Sequence, residues 1–109
     1  MADGIGSDRM VDYWLETKSA VDGGYYPTGK DGHYEIFKSL PVARVRLMRR
    51  IKDAPYYCEL GGIQGSKNGM GYTVGIIRYN WRNGIFIWDD YGTKKKSILR
   101  KDGSLGKRI

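Results

Sequence analysis

One cysteine, Cys58, and one histidine, His33, are all that this chain of 109 residues holds of the two commonest metal-binding and nucleophilic side chains. A lone thiol excludes an intrachain disulfide and suits a reducing cytoplasm or the interior of a particle better than secretion. Within the β-rich run 56–60, Cys58 reads as a small buried hydrophobe. The spacings C-x-x-C and H-x-x-x-H are missing, and residues 61–71, GGIQGSKNGMG, lack the Gly-Lys-Ser/Thr ending of a phosphate loop. No metal or cofactor is therefore expected. No apolar run approaches the ~20 residues that span a bilayer, and the acidic, polar start MADGIGSDRM is unlike a signal peptide, so no membrane partner is expected either.

Leucine and alanine are also scarce, whereas Gly (16) and Tyr (9) are abundant, which favours strands and turns over helical packing. The expectation is a single mainly β domain, a small antiparallel sandwich or barrel, with one short N-terminal helix as an α+β variant. Its seed is residues 71–91, GYTVGIIRYNWRNGIFIWDDY, two β-rich runs meeting at Asn83-Gly84. A two-residue type I′ turn there pairs Arg82 with Ile85, Trp81 with Phe86, Tyr79 with Trp88 and Arg78 with Asp89. Ile77, Tyr79, Trp81, Phe86 and Trp88 then share one face, the natural start of a core.

Elsewhere the patterns are less decisive. Residues 8–21 suit a helix through Met10, Val11, Trp14, Leu15 and Val21, or a strand through Val11, Tyr13, Leu15 and Thr17. A turn region with Tyr25 and Tyr26 follows, then a strand candidate at 33–37. Over 42–51, Ala43, Val45, Leu47 and Ile51 take one parity and Arg44, Arg46 and Arg50 the other. That predicts a strand with one basic face, although Pro41 and the Val42, Val45, Met48 spacing also suit a helix. Residues 56–60 should return antiparallel to it, and 61–70 read as a loop. The expected organisation is an N-terminal arm at 1–9, a β-rich domain at 10–93 and a basic tail at 94–109, in which Ile98 and Leu99 suit one last strand.

Charge is divided along the chain. Residues 1–37 hold 3 basic and 7 acidic side chains, and residues 38–109 hold 16 and 5, within a formal net charge of +7. Such asymmetry suits either a basic body that attracts a polyanion or complementary surfaces that attract other protein subunits. The candidate basic surface is Arg44, Arg46, Arg50, Lys94, Lys95, Lys96, Arg100, Lys101, Lys107 and Arg108. Tyr25 and Tyr26 form a candidate aromatic contact loop.

Residues 42–50, VARVRLMRR, resemble the opening strand of the immunoglobulin-like or prealbumin-like β-domains of tailed-phage tail proteins. The resemblance implies a β-domain and a virion setting, and carries over no functional residue. No catalytic constellation accompanies it, since Asp89 and Asp90 point to opposite faces of a strand. An enzyme is not expected. The first expectation is a small structural protein of a phage-like particle, a capsid, neck or tail component that acts in an oligomeric assembly in the virion. The alternatives are a basic nucleic-acid-binding module with electrostatic phosphate contacts, and a host-takeover or inhibitor protein in the host cytoplasm. Aromatic placement separates the first two, because a nucleic-acid binder needs aromatic rings outside the core.

Overall fold

The computed structural model describes residues 11–53, 60–67 and 69–109. The chain is mainly β: among the described residues eight strands form one antiparallel sheet and a single α-helix covers one face of it. The strands are β1 (Asp12–Lys18), β2 (Tyr25–Pro27), β3 (Ile36–Phe37), β4 (Leu60–Lys67), β5 (Met70–Asn80), β6 (Ile85–Asp90), β7 (Lys96–Leu99) and β8 (Leu105–Arg108), with α1 at Leu40–Asp53. Their order is β2-β1-β4-β5-β6-β7-β8, and β3 pairs with β1 beyond β2.

Residues 12–18 settle as a strand, not a helix, and the helix lies at 40–53, where a basic strand was expected. The reason is a stripe the alternation concealed. Ala43, Arg44, Leu47, Met48 and Ile51 are buried together, a spacing of three to four residues that only a helix aligns. Because Arg44 belongs to that stripe, a count of apolar parity misses it. Ser39 caps the start, its carbonyl accepting the Ala43 amide at 3.0 Å, Pro41 sits in the first turn, and Arg50 and Lys52 oppose the dipole in the last. The nine residues that resemble a phage-domain strand thus lie inside α1.

The loop expected at 61–70 is largely strand β4, and its glycines explain the misreading. A Cβ on Gly61 would lie 2.7 Å from Leu47 Cδ1, so the bare backbone is what lets α1 settle on the sheet. Of the segment 56–60, only Leu60 is described, and Cys58 and Asn68 also lie outside the described residues.

The β5–β6 hairpin forms, but with its register moved by two residues. Asn80 pairs with Ile85, Tyr79 with Phe86 and Ile77 with Trp88. Its loop holds four residues, Trp81 to Gly84. The Gly84 amide reaches the Asn80 carbonyl at 2.8 Å, the Asn80 side chain accepts the Arg82 amide at 3.0 Å, and of the four only Gly84 takes a positive φ, 71°. The Asn80 side chain thus closes the turn before a type I′ pair can form. A slip of two preserves the faces, so Ile77 and Trp88 are fully buried and Tyr79 and Phe86 pack against them. Trp81 alone leaves the core, moved into the loop and half exposed.

Residues 94–109 do not trail as a tail. Lys96–Leu99 pairs with β6, Leu105–Arg108 pairs with β7, and Ser97 and Leu99 are buried. The β7–β8 turn abuts the start of α1 so closely that a Cβ on Gly103 would lie 2.2 Å from the Pro41 carbonyl oxygen. With Leu15, Ile63 and the helical stripe, these strands complete one core.

Candidate nucleic-acid interface

Two concave surfaces flank the loop that carries Trp81. The first, of about 480 Å³, is lined by Arg78, Tyr79, Asn80, Trp81, Arg82 and Ile87. Strand alternation puts Arg78, Asn80 and Ile87 on the sheet face away from α1, since their neighbours Ile77 and Trp88 are buried beneath the helix. Trp81 is 50% exposed and stands edge-on to Tyr79, with 4.9 Å between ring centroids. That contact covers part of the indole, and half of the residue remains exposed.

The second surface is a groove of about 700 Å³ between α1 and strands β6 and β7. Its floor is apolar, with Val45, Met48, Phe86 and Leu99, Ile85 and Ile98 border it from strand positions that face away from α1, and its rim carries Arg49, Lys52, Arg100 and Lys101. Helical spacing places Arg49 and Lys52 one turn apart on the same side. The β7–β8 turn supplies the other two. Gly84 belongs to the groove and Arg82 to the first cleft, so the β5–β6 loop joins them. Six cationic side chains line the pair, and among the described residues no carboxylate does.

The arginines picked out by the sequence mostly serve the fold instead. Arg44 is buried, its guanidinium 4.3 Å from the centroid of the Trp88 ring and its Nη1 donating to the Gly103 carbonyl at 3.2 Å. Burial presses its pKa below the usual guanidinium value, with Asp90 and Tyr13 opposing. Arg46 and Arg50, one helical turn apart, both hold the Glu35 carboxylate, at 2.8 and 3.0 Å, and tie the segment before β3 to the helix.

The remaining candidates divide. Arg100 and Lys101 line the groove. Lys94, Lys95 and Lys96 are exposed beside it in sequence, and the Lys94 ammonium lies 5.7 Å from the centroid of the Tyr91 ring. Lys107 and Arg108 are exposed on the edge strand β8, where charge discourages pairing with another sheet. Tyr26 donates its hydroxyl to Asp22, which holds that carboxyl below its ordinary range, while Tyr25 lines a separate pocket on the helix-free face. Tyr25 and Tyr26 therefore do not act together.

Arg49, Lys52, Arg78, Trp81 and Arg82 escaped the sequence reading. The strand assignment for 42–51 hid the first two, and the two-residue turn put Trp81 inside. Once Asn80 is recognised as a turn-closing side chain, Trp81 and Arg82 become loop residues, which is the signal that finds them. Among the described residues no group of three or more His, Cys, Asp or Glu side chains converges as a metal site would require, and no helix is long and apolar enough to cross a membrane. No family model matches the chain, and neither a curated protein nor a solved structure does.

Proposed function

We propose that this domain binds single-stranded nucleic acid across the two surfaces joined by the Trp81 loop. The observation that carries the reading is a half-exposed indole that lines one cleft with Arg78 and Arg82, on a loop that also borders a groove lined by four more cations, with no carboxylate lining either among the described residues. A base stacks on Trp81, adding about 1–3 kcal/mol, and phosphates pass between Arg78 and Arg82 toward Arg49, Lys52, Arg100 and Lys101. The apolar floor accepts sugars or bases turned away from solvent. Recognition of this kind is tolerant of sequence, because every base offers a π-face.

The particle-subunit reading keeps the charge asymmetry of the chain but loses its basic arm, since residues 96–99 and 105–108 are strands of the sheet. Its other expected contact, the N-terminal arm at 1–9, lies outside the described residues; of the described edge strands, β2 is only three residues long and ends in Pro27, while β8 carries Lys107 and Arg108. Both are features that blunt edge-to-edge association.

Titration with oligo-dT and oligo-U, followed by tryptophan fluorescence, tests the proposal. Saturable quenching is expected, lost in Trp81→Phe where the signal resides, and Trp81→Ala should weaken binding roughly tenfold or more by anisotropy of a labelled strand. Equal affinity for inorganic polyphosphate, unaffected by Trp81→Ala, would show a charge surface without base contact and would overturn the assignment.

A further inference from the structure

The helix-free face of the sheet holds a third concavity, of about 360 Å³, whose chemistry is opposite to that of the basic surfaces. Glu16 lines it from β1, Gln64 and Gly62 from β4, Thr73 from β5, and Tyr25 and Tyr91 flank it. Glu16 pairs with Gly62, which has no side chain, and Gln64 lies two residues further on the same face. A Cβ on Gly62 would lie 3.4 Å from Gln64 Nε2, so the glycine keeps open the space between the carboxylate and the amide. Thr73 donates to Gln64 Oε1 at 2.9 Å and fixes that amide with its oxygen on the β5 side.

Glu16 differs from the better-satisfied acids of this domain. Glu35 holds two arginines, Lys38 pairs with Asp12, and Asp90 accepts the Trp88 indole and two amides. Among the described residues Glu16 has neither an ion pair nor a side-chain hydrogen bond, although it is only partly exposed. Burial pushes its carboxyl above the ordinary range, the mark of a charge whose lost hydration no described residue replaces. The flanking rings show what could replace it. Tyr91 already attracts one ammonium, that of Lys94, toward its ring.

We propose that this concavity binds an organic ammonium ion, a primary amine on an alkyl stem like that of a lysine side chain. The ammonium pairs with the Glu16 carboxylate and finds further acceptors in Thr73 Oγ1 and the tyrosine hydroxyls. Its stem lies between Tyr25 and Tyr91 over the apolar surface of Ile76. A compact ammonium with three donors matches acceptors that converge from three strands better than a flat guanidinium fork does. This site stands apart from the nucleic-acid reading, which uses cations on the surfaces about the β5–β6 loop.

The test is NMR titration of the folded domain with n-butylammonium and with N-acetyl-lysine amide. Saturable shifts of the Gly62, Thr73 and Ile76 amides are expected, and Glu16→Gln, which keeps shape and removes charge, should lower affinity roughly tenfold or more. Gly62→Ala, which fills the floor without touching the carboxylate, should also abolish the shifts, and each variant's amide dispersion reports whether it is folded. Equal binding of 1-butanol, unchanged binding by folded Glu16→Gln, or no saturable shift in the unmodified domain would each overturn the proposal. Oligo-dT affinity should be untouched by either variant, so failure here is distinguishable from failure of the basic surfaces.

Discussion

The guanidinium of Arg44 lies over the ring of Trp88, 4.3 Å from its centroid, and joins α1 to the middle of the sheet. Around it the indole Nε1 donates to Asp90 at 3.1 Å, and Arg44 Nη1 reaches the Gly103 carbonyl in the β7–β8 turn. Arg44 thus links α1, β6 and the last turn. Among the described residues its Nε is buried without a partner, and the arginine is held by the ring and one carbonyl.

Arg44→Ala should cost about 2–4 kcal/mol, because it opens a void against Trp88 and strips the Gly103 carbonyl of its donor. Arg44→Lys should fall between, since an ammonium lacks the flat face that stacks on the indole. Urea denaturation of the three proteins measures both. An Arg44→Ala variant as stable as the parent would mean that the stacking contributes nothing.

Gly75 shows why glycine is needed inside a strand of this sheet. A Cβ there would lie 2.4 Å from Trp88 Cζ2 and 2.7 Å from the Asp89 carbonyl oxygen. Gly75→Ala should therefore destabilise by about 1–3 kcal/mol, the usual cost of overpacking, through displacement of the indole. A red shift of tryptophan emission at unchanged secondary structure would accompany it. Full stability with unshifted emission would contradict the close approach.

Much of this architecture was legible in the sequence, and the failures share a cause. The inward face of the hairpin was readable because a two-residue slip leaves strand faces unchanged, whereas residues 8–21 suited helix and strand equally and only the structure decides for the strand. The helix was hidden because its buried stripe includes Arg44, and strand β4 because its inward glycines look like a loop. In both places tertiary packing overrode local pattern, with Trp88 making room for an arginine and α1 requiring a bare strand. The candidate site suffered accordingly. Arg46 and Arg50 were chosen for a parity that is really a helix edge held by Glu35, and Trp81 was assigned to the core through the choice of turn.

Lys94 occupies a left-handed conformation, φ 63°, at the place in the β6–β7 turn that corresponds to Gly84 in the β5–β6 loop. Both amides donate to the carbonyl four residues earlier, at 2.8 Å in each case. Lys94→Gly should stabilise the domain by about 1 kcal/mol, by removing the steric cost of a side chain in that region, while Gly84→Val should cost a similar amount or more. Thermal melts of the pair decide it. If Lys94→Gly melted lower, the approach of Lys94 to Tyr91 would outweigh the backbone strain.

Asp90 gives the domain an acid limit. Burial raises its carboxyl, but the amides of Thr93 and Gly92 and the Trp88 indole outweigh that and hold it below the ordinary range. A depressed folded-state pKa contributes stability that is present above the unfolded value and is lost as pH falls through the folded one. Asp90→Asn should consequently be less stable than the parent at neutral pH, and the difference should shrink below about pH 4, where the unfolded carboxyl also protonates. Melting curves from pH 7 to pH 2 measure the convergence. A constant gap would place the cost of Asp90→Asn in shape alone.

The basic surfaces predict which cations matter for nucleic acid. Arg100 and Lys101 rim the groove with Arg49 and Lys52, whereas Lys107 and Arg108 lie outside its lining on the β8 edge, so two double variants of equal charge change can be compared. Removing Arg49 and Lys52 as Gln should reduce the dependence of log affinity on log salt for oligo-dT by about 0.7 for each phosphate that is no longer neutralised. Removing Lys107 and Arg108, which do not line the groove, should leave both that slope and the affinity nearly unchanged. Anisotropy titrations at several salt concentrations separate the two behaviours. Equal slopes in the two variants would mean that the charge acts as a diffuse field, with no phosphate seated in the groove between α1 and β7.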